Sequence, residues 1–247
     1  MYSSPDSLYV IFPAAGSGTR MHSDKNKLLM EVNGIPVIER TMAAFQKFSS
    51  EKNVKIHGVL VVTPGKKDEW SSYIKDNPVF GFIDKITEGG DTRTKSVSRG
   101  VASVSSLSPE DDDIVFIHDA ARCLIDTDSI LRCFEEMRDG GSDVCVSGVK
   151  TKNTIKMVRS ASDGEPVTVE STPDRSLLYE VQTPQCFKFS VLSDCYSRAE
   201  ADEYEATDDT ALAEHYGYEV RIVEGSYSNI KITTPEDIAI AEALISS

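Results

Sequence analysis

Apolar runs and helical periods alternate along this chain almost from its start. An unbroken apolar stretch at Leu8–Phe12 reads as a buried strand, and Pro36–Phe48 follows with Val37, Ile38, Met42, Phe45 and Phe48 at helical spacing. Val54–Val62 repeats the strand pattern, Lys66–Lys75 predicts a helix, Lys85–Thr87 a strand, Thr94–Val104 a helix and Ile114–Ile117 another buried strand. Asp128–Met137 is helical and stops at Gly140-Gly141, after which Val144–Val149 is again strand-like. This βαβα order predicts an α/β fold: a doubly wound, mostly parallel sheet with helices on both faces.

The period changes at Lys150. Residues 150–172 carry no helical spacing but hold two short β-like runs, Thr154–Val158 and Val167–Val169, around the polar turn Ser160-Ala-Ser-Asp-Gly164. The segment 150–176 is therefore expected to leave the sheet as a β-arm. Beyond it the pattern predicts strands at Leu178–Val181, Glu219–Val223 and Asn229–Ile232, with helices at Phe189–Ala201 and Asp208–Tyr216. A last helix is announced by Thr234 as N-cap, Pro235 at the first helical position and Asp237 at capping-box spacing. With 247 residues and no internal repeat, the chain 1–247 is expected to form a single domain.

Composition narrows the function classes. At 40% hydrophobic and 27% charged residues the chain can build an ordinary core, and 26 basic against 40 acidic residues leave a net charge of −14. That balance argues against a long-range grip on nucleic acid or on an anionic membrane. The five cysteines are odd in number and form no C-x-x-C pair, so neither a disulfide framework nor a structural zinc site is expected. No basic leader or membrane-length apolar run precedes the first strand, and a cytoplasmic protein is expected.

The candidate chemistry begins where the first strand empties into Pro13-Ala-Ala-Gly-Ser-Gly-Thr-Arg-Met21. Small residues and two glycines leave backbone N–H groups open to a phosphate. A dinucleotide fingerprint fails because Met21 stands where a third glycine is needed, and a P-loop fails for want of Gly-Lys-Ser/Thr. Glu39, at the distance of a ribose-binding acid, falls inside a helix pattern. Arg20, Lys25 and Lys27 concentrate positive charge beside this loop, which suits a triphosphate, though a solvated basic loop would look the same.

Asp119 directly follows the apolar strand Ile114–Ile117, where a carboxylate points into the ligand crevice of a parallel sheet and suits Mg2+. The competing reading is a structural ion pair with Arg122. Gly89-Gly-Asp91 reads as a turn before a helix starting near Thr92 or Thr94, Thr207-Asp-Asp209 as an ordinary helix start, and the histidines as structural or surface residues. Lys231, set among Ile230 and Ile232, calls for an anionic partner.

Taken in order, the first loop with Lys27, Gly89-Gly-Asp-Thr-Arg-Thr-Lys-Ser-Val97, His118-Asp-Ala-Ala-Arg122, Gln182-Thr-Pro-Gln185, Thr207-Asp-Asp209 and Asn229-Ile-Lys-Ile-Thr-Thr-Pro-Glu-Asp237 resemble the motifs of the 2-C-methyl-D-erythritol 4-phosphate cytidylyltransferase family. The resemblance runs from about residue 8 to 245 and implies a nucleotidyltransferase-type, Rossmann-like sheet. It implies transfer of CMP from CTP to methylerythritol phosphate with release of pyrophosphate. Ala14, Ala15, Gly16, Ser17, Gly18, Gly90, Asp91, Ser96 and Ala120 would bind CTP, and Asp119 would hold Mg2+ or another divalent cation. Arg20, Lys27, Arg175 and Lys231 would be catalytic, and Thr154, Arg175, Thr183, Thr207 and Arg122 would bind the acceptor, with Thr154 and Arg175 reaching the partner's site in an arm-mediated homodimer. The sequence departs from the family pattern at Asn26, Leu28, Cys123 and Asn153. Two alternatives stay open: a ribitol 5-phosphate enzyme, which shares the first loop and the C-terminal lysine, and an inactive nucleotide-binding paralogue.

Overall fold

A computed structural model describes residues 7–16, 26–159 and 167–246. Seven strands form one sheet in the order β11-β7-β10-β6-β1-β4-β5. These are β1 (Ser7–Ala14), β4 (Lys55–Val62), β5 (Ile83–Glu88), β6 (Ile114–Ile117), β7 (Val144–Lys150), β10 (Tyr179–Lys188) and β11 (Arg221–Glu224). Two small ribbons, β2 (Glu31–Val32) with β3 (Ile35–Pro36) and β8 (Met157–Val158) with β9 (Val169–Ser171), stand outside it.

β1 shows why the sheet is covered on both sides. Leu8, Val10 and Phe12 pack into one core with α1 (Val37–Lys52), α4 (Thr127–Arg138) and Trp70 of α2 (Lys67–Ile74). Tyr9 and Ile11 enter the other with α3 (Arg93–Ser105), α5 (Phe189–Ala201) and α6 (Asp209–His215). An apolar residue at every position is what a strand buried on both faces requires. α3 lies so close to this strand that a Cβ on Gly100 would stand 2.6 Å from the Ile11 side chain.

Parallel pairing joins β1 to β4 and β6, β4 to β5, and β11 to β7, whereas β10 runs antiparallel between β6 and β7. Two expectations need correction here. β10 does not stop at Val181 but continues through Gln182-Thr-Pro-Gln185 to Lys188, with a cis Thr183–Pro184 bond and an irregular register between Val181 and Gln185. The polar quartet hid the strand because Gln182 and Gln185 are buried with their amides satisfied inside the fold. Asn229–Ile232 forms no strand: Ile232 N–H reaches the Ala121 carbonyl at 2.9 Å, but no ladder follows, and the Ile230/Ile232 alternation reflects packing alone. The helix beyond it, α7 (Pro235–Ser246), starts as expected, with the Asp237 carboxylate accepting from the Thr234 N–H at 2.8 Å.

Candidate active site

The chain leaves β1 toward β4 and β5 and later returns through β6 on the other side of β1, so the winding reverses between β1 and β6. A crevice opens at the carboxyl ends of strands at such a point, and it is there that α/β sheets bind ligands. The first loop follows β1 and Asp119 follows β6, which brings both sequence candidates to this crevice.

Ala14, Ala15 and Gly16 lie within the described residues; Ser17, Gly18 and Arg20 lie outside them, as do Lys25 and His22. Lys27 opens a short 3-10 turn fixed by Asn26, whose side chain accepts from the Leu28 N–H at 3.1 Å, and by the buried Leu28. A Cβ on Gly16 would stand 3.9 Å from the Lys27 Nζ, so the ammonium lies over the glycine backbone. Gly89 closes the same corner: a Cβ there would stand 2.8 Å from the Ala15 Cβ and 2.7 Å from the Ser96 Oγ. Only glycine permits that approach of the two loops.

The Gly90 turn is held by its own residues. Gly90 N–H donates to Ser96 Oγ at 3.0 Å, Ser96 Oγ donates to the Thr92 carbonyl at 2.8 Å, and Thr92 caps α3 by accepting from Lys95 N–H. Asp91 is exposed and pairs with Lys95 at 3.0 Å. Ala120 is buried, its carbonyl accepting from Thr41 Oγ1 at 2.9 Å.

Charge converges on Asp119. Lys231 Nζ stands 2.9 Å from its Oδ2, and Arg122 Nε lies 3.6 Å from the same oxygen. Arg122 also donates to the Asn229 carbonyl at 2.7 Å, and Asn229 donates from its amide to the Thr183 carbonyl at 2.9 Å. The ion pair with Arg122 anticipated as the structural alternative is thus present but long, and Lys231 is the closer partner. Burial by itself would raise the Asp119 carboxyl; the charges of Lys231, Arg93 and Arg122 outweigh it and hold it at about 2. The carboxylate is ionised at neutral pH.

Among the described residues no three His, Cys, Asp or Glu side chains gather as a metal cage. Asp119 nonetheless fits a hard divalent cation: it is an ionised carboxylate at the carboxyl end of a parallel strand, and Mg2+ commonly takes one or two carboxylates with substrate phosphates completing its shell.

His118 is a structural histidine with a positioning consequence. Burial pushes its pKa down to about 3, although Asp119 opposes that shift, so the ring is neutral. Its Nδ1 lies at hydrogen-bonding distance, 3.0 Å, from Thr183 Oγ1, and Thr183 Oγ1 accepts from the Asp119 N–H at 3.1 Å. Below about pH 6.5 the unfolded chain takes up a proton that folded His118 refuses, so stability falls as pH falls. Between about pH 5.5 and 4 the expected slope from this residue is about 1.4 kcal/mol per pH unit. Urea midpoints across that range should flatten in His118→Gln, and an unchanged slope would remove the assignment.

The remaining sequence candidates are not all gathered. Thr154 and Arg175 lie on the arm, where the Arg175 guanidinium donates to the Lys152 carbonyl at 3.0 Å; among the described residues neither is joined to the Asp119 cluster. Thr207 is exposed, and Asp208, not Thr207, caps α6 by accepting from the Ala211 N–H at 2.8 Å. Lys231 is correctly matched with an anion, but it is two-fifths exposed and sits on an irregular segment, not in a strand. Glu39 accepts from Tyr73 and Asn77 and is structural. All five cysteines are free and buried. No helix among the described residues is long and apolar enough to cross a membrane. The sequence reading missed Arg93 and Asp209, which pair across the fold; both stood inside quoted motifs, but nothing local marked them as partners.

Comparison with known proteins gives one consistent answer. The model of the 2-C-methyl-D-erythritol 4-phosphate cytidylyltransferase family matches residues 8–247. A protein of that name from Clostridium novyi is 41% identical over 239 residues, covering 95% of each chain, and one from Microcystis aeruginosa is 37% identical, covering 97% of this chain and 99% of its own. Among solved structures, 4-diphosphocytidyl-2C-methyl-D-erythritol synthase from Anaerococcus prevotii superposes with a TM-score of 0.77 at 28% identity, over 98% of this chain and 97% of its own. The Francisella tularensis cytidylyltransferase gives 0.74 at 27% identity, over 96% and 99%.

Proposed function

The chain belongs to the 2-C-methyl-D-erythritol 4-phosphate cytidylyltransferase family, and from that membership we propose how its crevice transfers CMP from CTP to 2-C-methyl-D-erythritol 4-phosphate. The observation that carries the reading is the placement of Lys27 over Gly16 and of the Asp119–Lys231 pair at the two strand ends that flank the reversal of the sheet.

By family membership the backbone from Ala14 to Gly18 would hold the triphosphate, and Lys27 and Arg20 would stabilise charge developing at the α-phosphate. Gly90, Asp91, Ser96 and Ala120 shape the nucleoside side, where small residues admit a pyrimidine. Lys231 and Arg122, with Thr183 and Thr207, hold the acceptor. An oxygen of its phosphate, already anionic at neutral pH, attacks the α-phosphorus; the new P–O bond forms as the bond to the β-phosphate oxygen breaks and pyrophosphate leaves. No side-chain nucleophile is required, so the protein contributes alignment and charge. Asp119 would hold Mg2+, which when bound supplies further neutralisation of the phosphates.

A second copy completes the assembly through the arm. Met157, Val167, Val169 and Leu177 expose 53, 60, 49 and 78% of their surface, an apolar row that a homodimer would cover, carrying Thr154 and Arg175 to the partner's site. The protein is read as a cytoplasmic enzyme with no nucleic acid or membrane partner.

The test is pyrophosphate release from CTP with methylerythritol phosphate or ribitol phosphate, with and without chelator, alongside sedimentation of the wild type and Val169→Asp. Release with the first acceptor alone, its loss on chelation, and a dimer that the substitution dissociates are expected. Release with ribitol phosphate alone would move the acceptor assignment, no release with either would favour a nucleotide-binding paralogue, and a wild-type monomer would remove the arm's role.

A further inference from the structure

Arg93 and Asp209 are 116 residues apart and form a forked pair, NH1 to Oδ1 at 2.7 Å and NH2 to Oδ2 at 2.5 Å. The Asp209 side chain is fully buried and also accepts from the Tyr196 hydroxyl at 2.5 Å. Its backbone N–H and that of Thr210 both donate to the buried Gln185 Oε1, at 2.8 and 3.1 Å. Arg93 opens α3, two residues after Asp91; Asp209 opens α6, two residues after Thr207. The pair therefore ties the loop assigned to the nucleotide to the loop assigned to the acceptor.

We propose that Arg93 and Asp209 are positioning residues whose forked ion pair sets the acceptor loop at Thr207 against the nucleotide loop at Gly90–Asp91, and so fixes the distance between the acceptor and the α-phosphate. The inference rests on the assignment of those two loops given above. A planar guanidinium against a carboxylate fixes orientation as well as distance, which an ammonium cannot do.

The two ends of the brace are unequally held. The nucleotide side is fixed without it: Gly89 N–H donates to the Val62 carbonyl at 2.7 Å, Arg99 donates to the Gly89 carbonyl at 2.5 Å, and Ser96 and Thr92 close the turn. On the acceptor side, Gln185 holds the start of α6 to β10, and Asp209 carries the side-chain link from there to α3 and α5. Loss of the fork is therefore expected to loosen Thr207 against α3 while the nucleotide loop stays in place. Arg93 is also close enough to Asp119 for its charge to help hold that carboxylate ionised, which places the brace against the reaction centre.

Arg93→Lys keeps the charge and removes the fork. In the full-length enzyme it is expected to raise the KM for methylerythritol phosphate about tenfold and to lower kcat about tenfold, while CTP still binds one per chain with Kd within about twofold of wild type. Asp209→Asn should behave alike, and the double variant should be no worse than the worse single one, because the two residues act as a unit. A merely structural pair would instead lower melting temperature and active fraction with both KM values unchanged. Should Arg93→Lys fail to fold, Tyr196→Phe, which removes one hydroxyl from the network, should still raise the acceptor KM about threefold with CTP binding intact. An unchanged acceptor KM in a folded variant, or equal weakening of CTP and acceptor, would overturn the proposal. Wild-type turnover measured in parallel tests the assignment of the acceptor itself, and the ratio of variant to wild type tests the brace.

Discussion

Lys27→Ala is expected to lower kcat at least about a hundredfold while the KM for CTP changes only a few-fold. The ammonium lies over the Gly16 backbone, in the segment proposed to bind the triphosphate. A unit charge about 4 Å from developing negative charge is worth about 4 kcal/mol at an effective dielectric near 20, and only the part gained on passing from ground to transition state appears in kcat. About 3 kcal/mol of differential stabilisation corresponds to about two powers of ten in rate. The fold should tolerate the change, because the turn keeps the Asn26 side-chain cap and the buried Leu28. Steady-state pyrophosphate release with both substrates varied separates the terms. A variant whose KM for CTP rises while kcat holds would make Lys27 a ground-state binding residue, and near-wild-type values for both would take it out of the site.

Asp119→Asn is expected to cost more than any other single substitution, in both turnover and stability. With the carboxylate gone, Lys231 at 2.9 Å and Arg122 at 3.6 Å lose their shared anion, and the nearby Arg93 charge adds to the repulsion. The oxygen proposed to hold the cation is lost in the same step, so turnover should fall at least about a thousandfold and should not return with added Mg2+. Stability follows from the carboxyl's position at about 2 against an ordinary 3.8. A folded-state pKa below the unfolded value stabilises the protein above pH 3.8, and that contribution is lost as pH falls through about 2. The difference corresponds to about 2 kcal/mol at neutral pH, with Lys231 partly in water. The gap in denaturant midpoint between wild type and variant at pH 7 should therefore narrow to about a third at pH 2.5. Equal midpoints at pH 7 would mean that the charge cluster contributes nothing to folding, and retained turnover would mean that Asp119 lies outside the chemistry.

These predictions rest on a site only partly legible along the chain. The βαβα order, the two-faced burial of Leu8–Phe12 and Ile114–Ile117, and the start of α7 at Pro235 follow from periodicities and caps that act over a few residues, so they could be read directly. The positions of the small-residue segment after β1 and of Asp119 after β6 could be read for a related reason: a strand that runs into small residues or a carboxylate places them at its carboxyl end, where the crevice of such a sheet lies. Which loops then meet is set by strand order, and strand order depends on packing between segments far apart in the chain. The antiparallel insertion of β10 past a polar Gln-Thr-Pro-Gln, the pairing of Lys231 with Asp119 from a segment that is not a strand, and the joining of Arg93 to Asp209 all belong to that second kind. Local patterning specifies which elements form, whereas buried charges find their partners only after the sheet has ordered those elements in space.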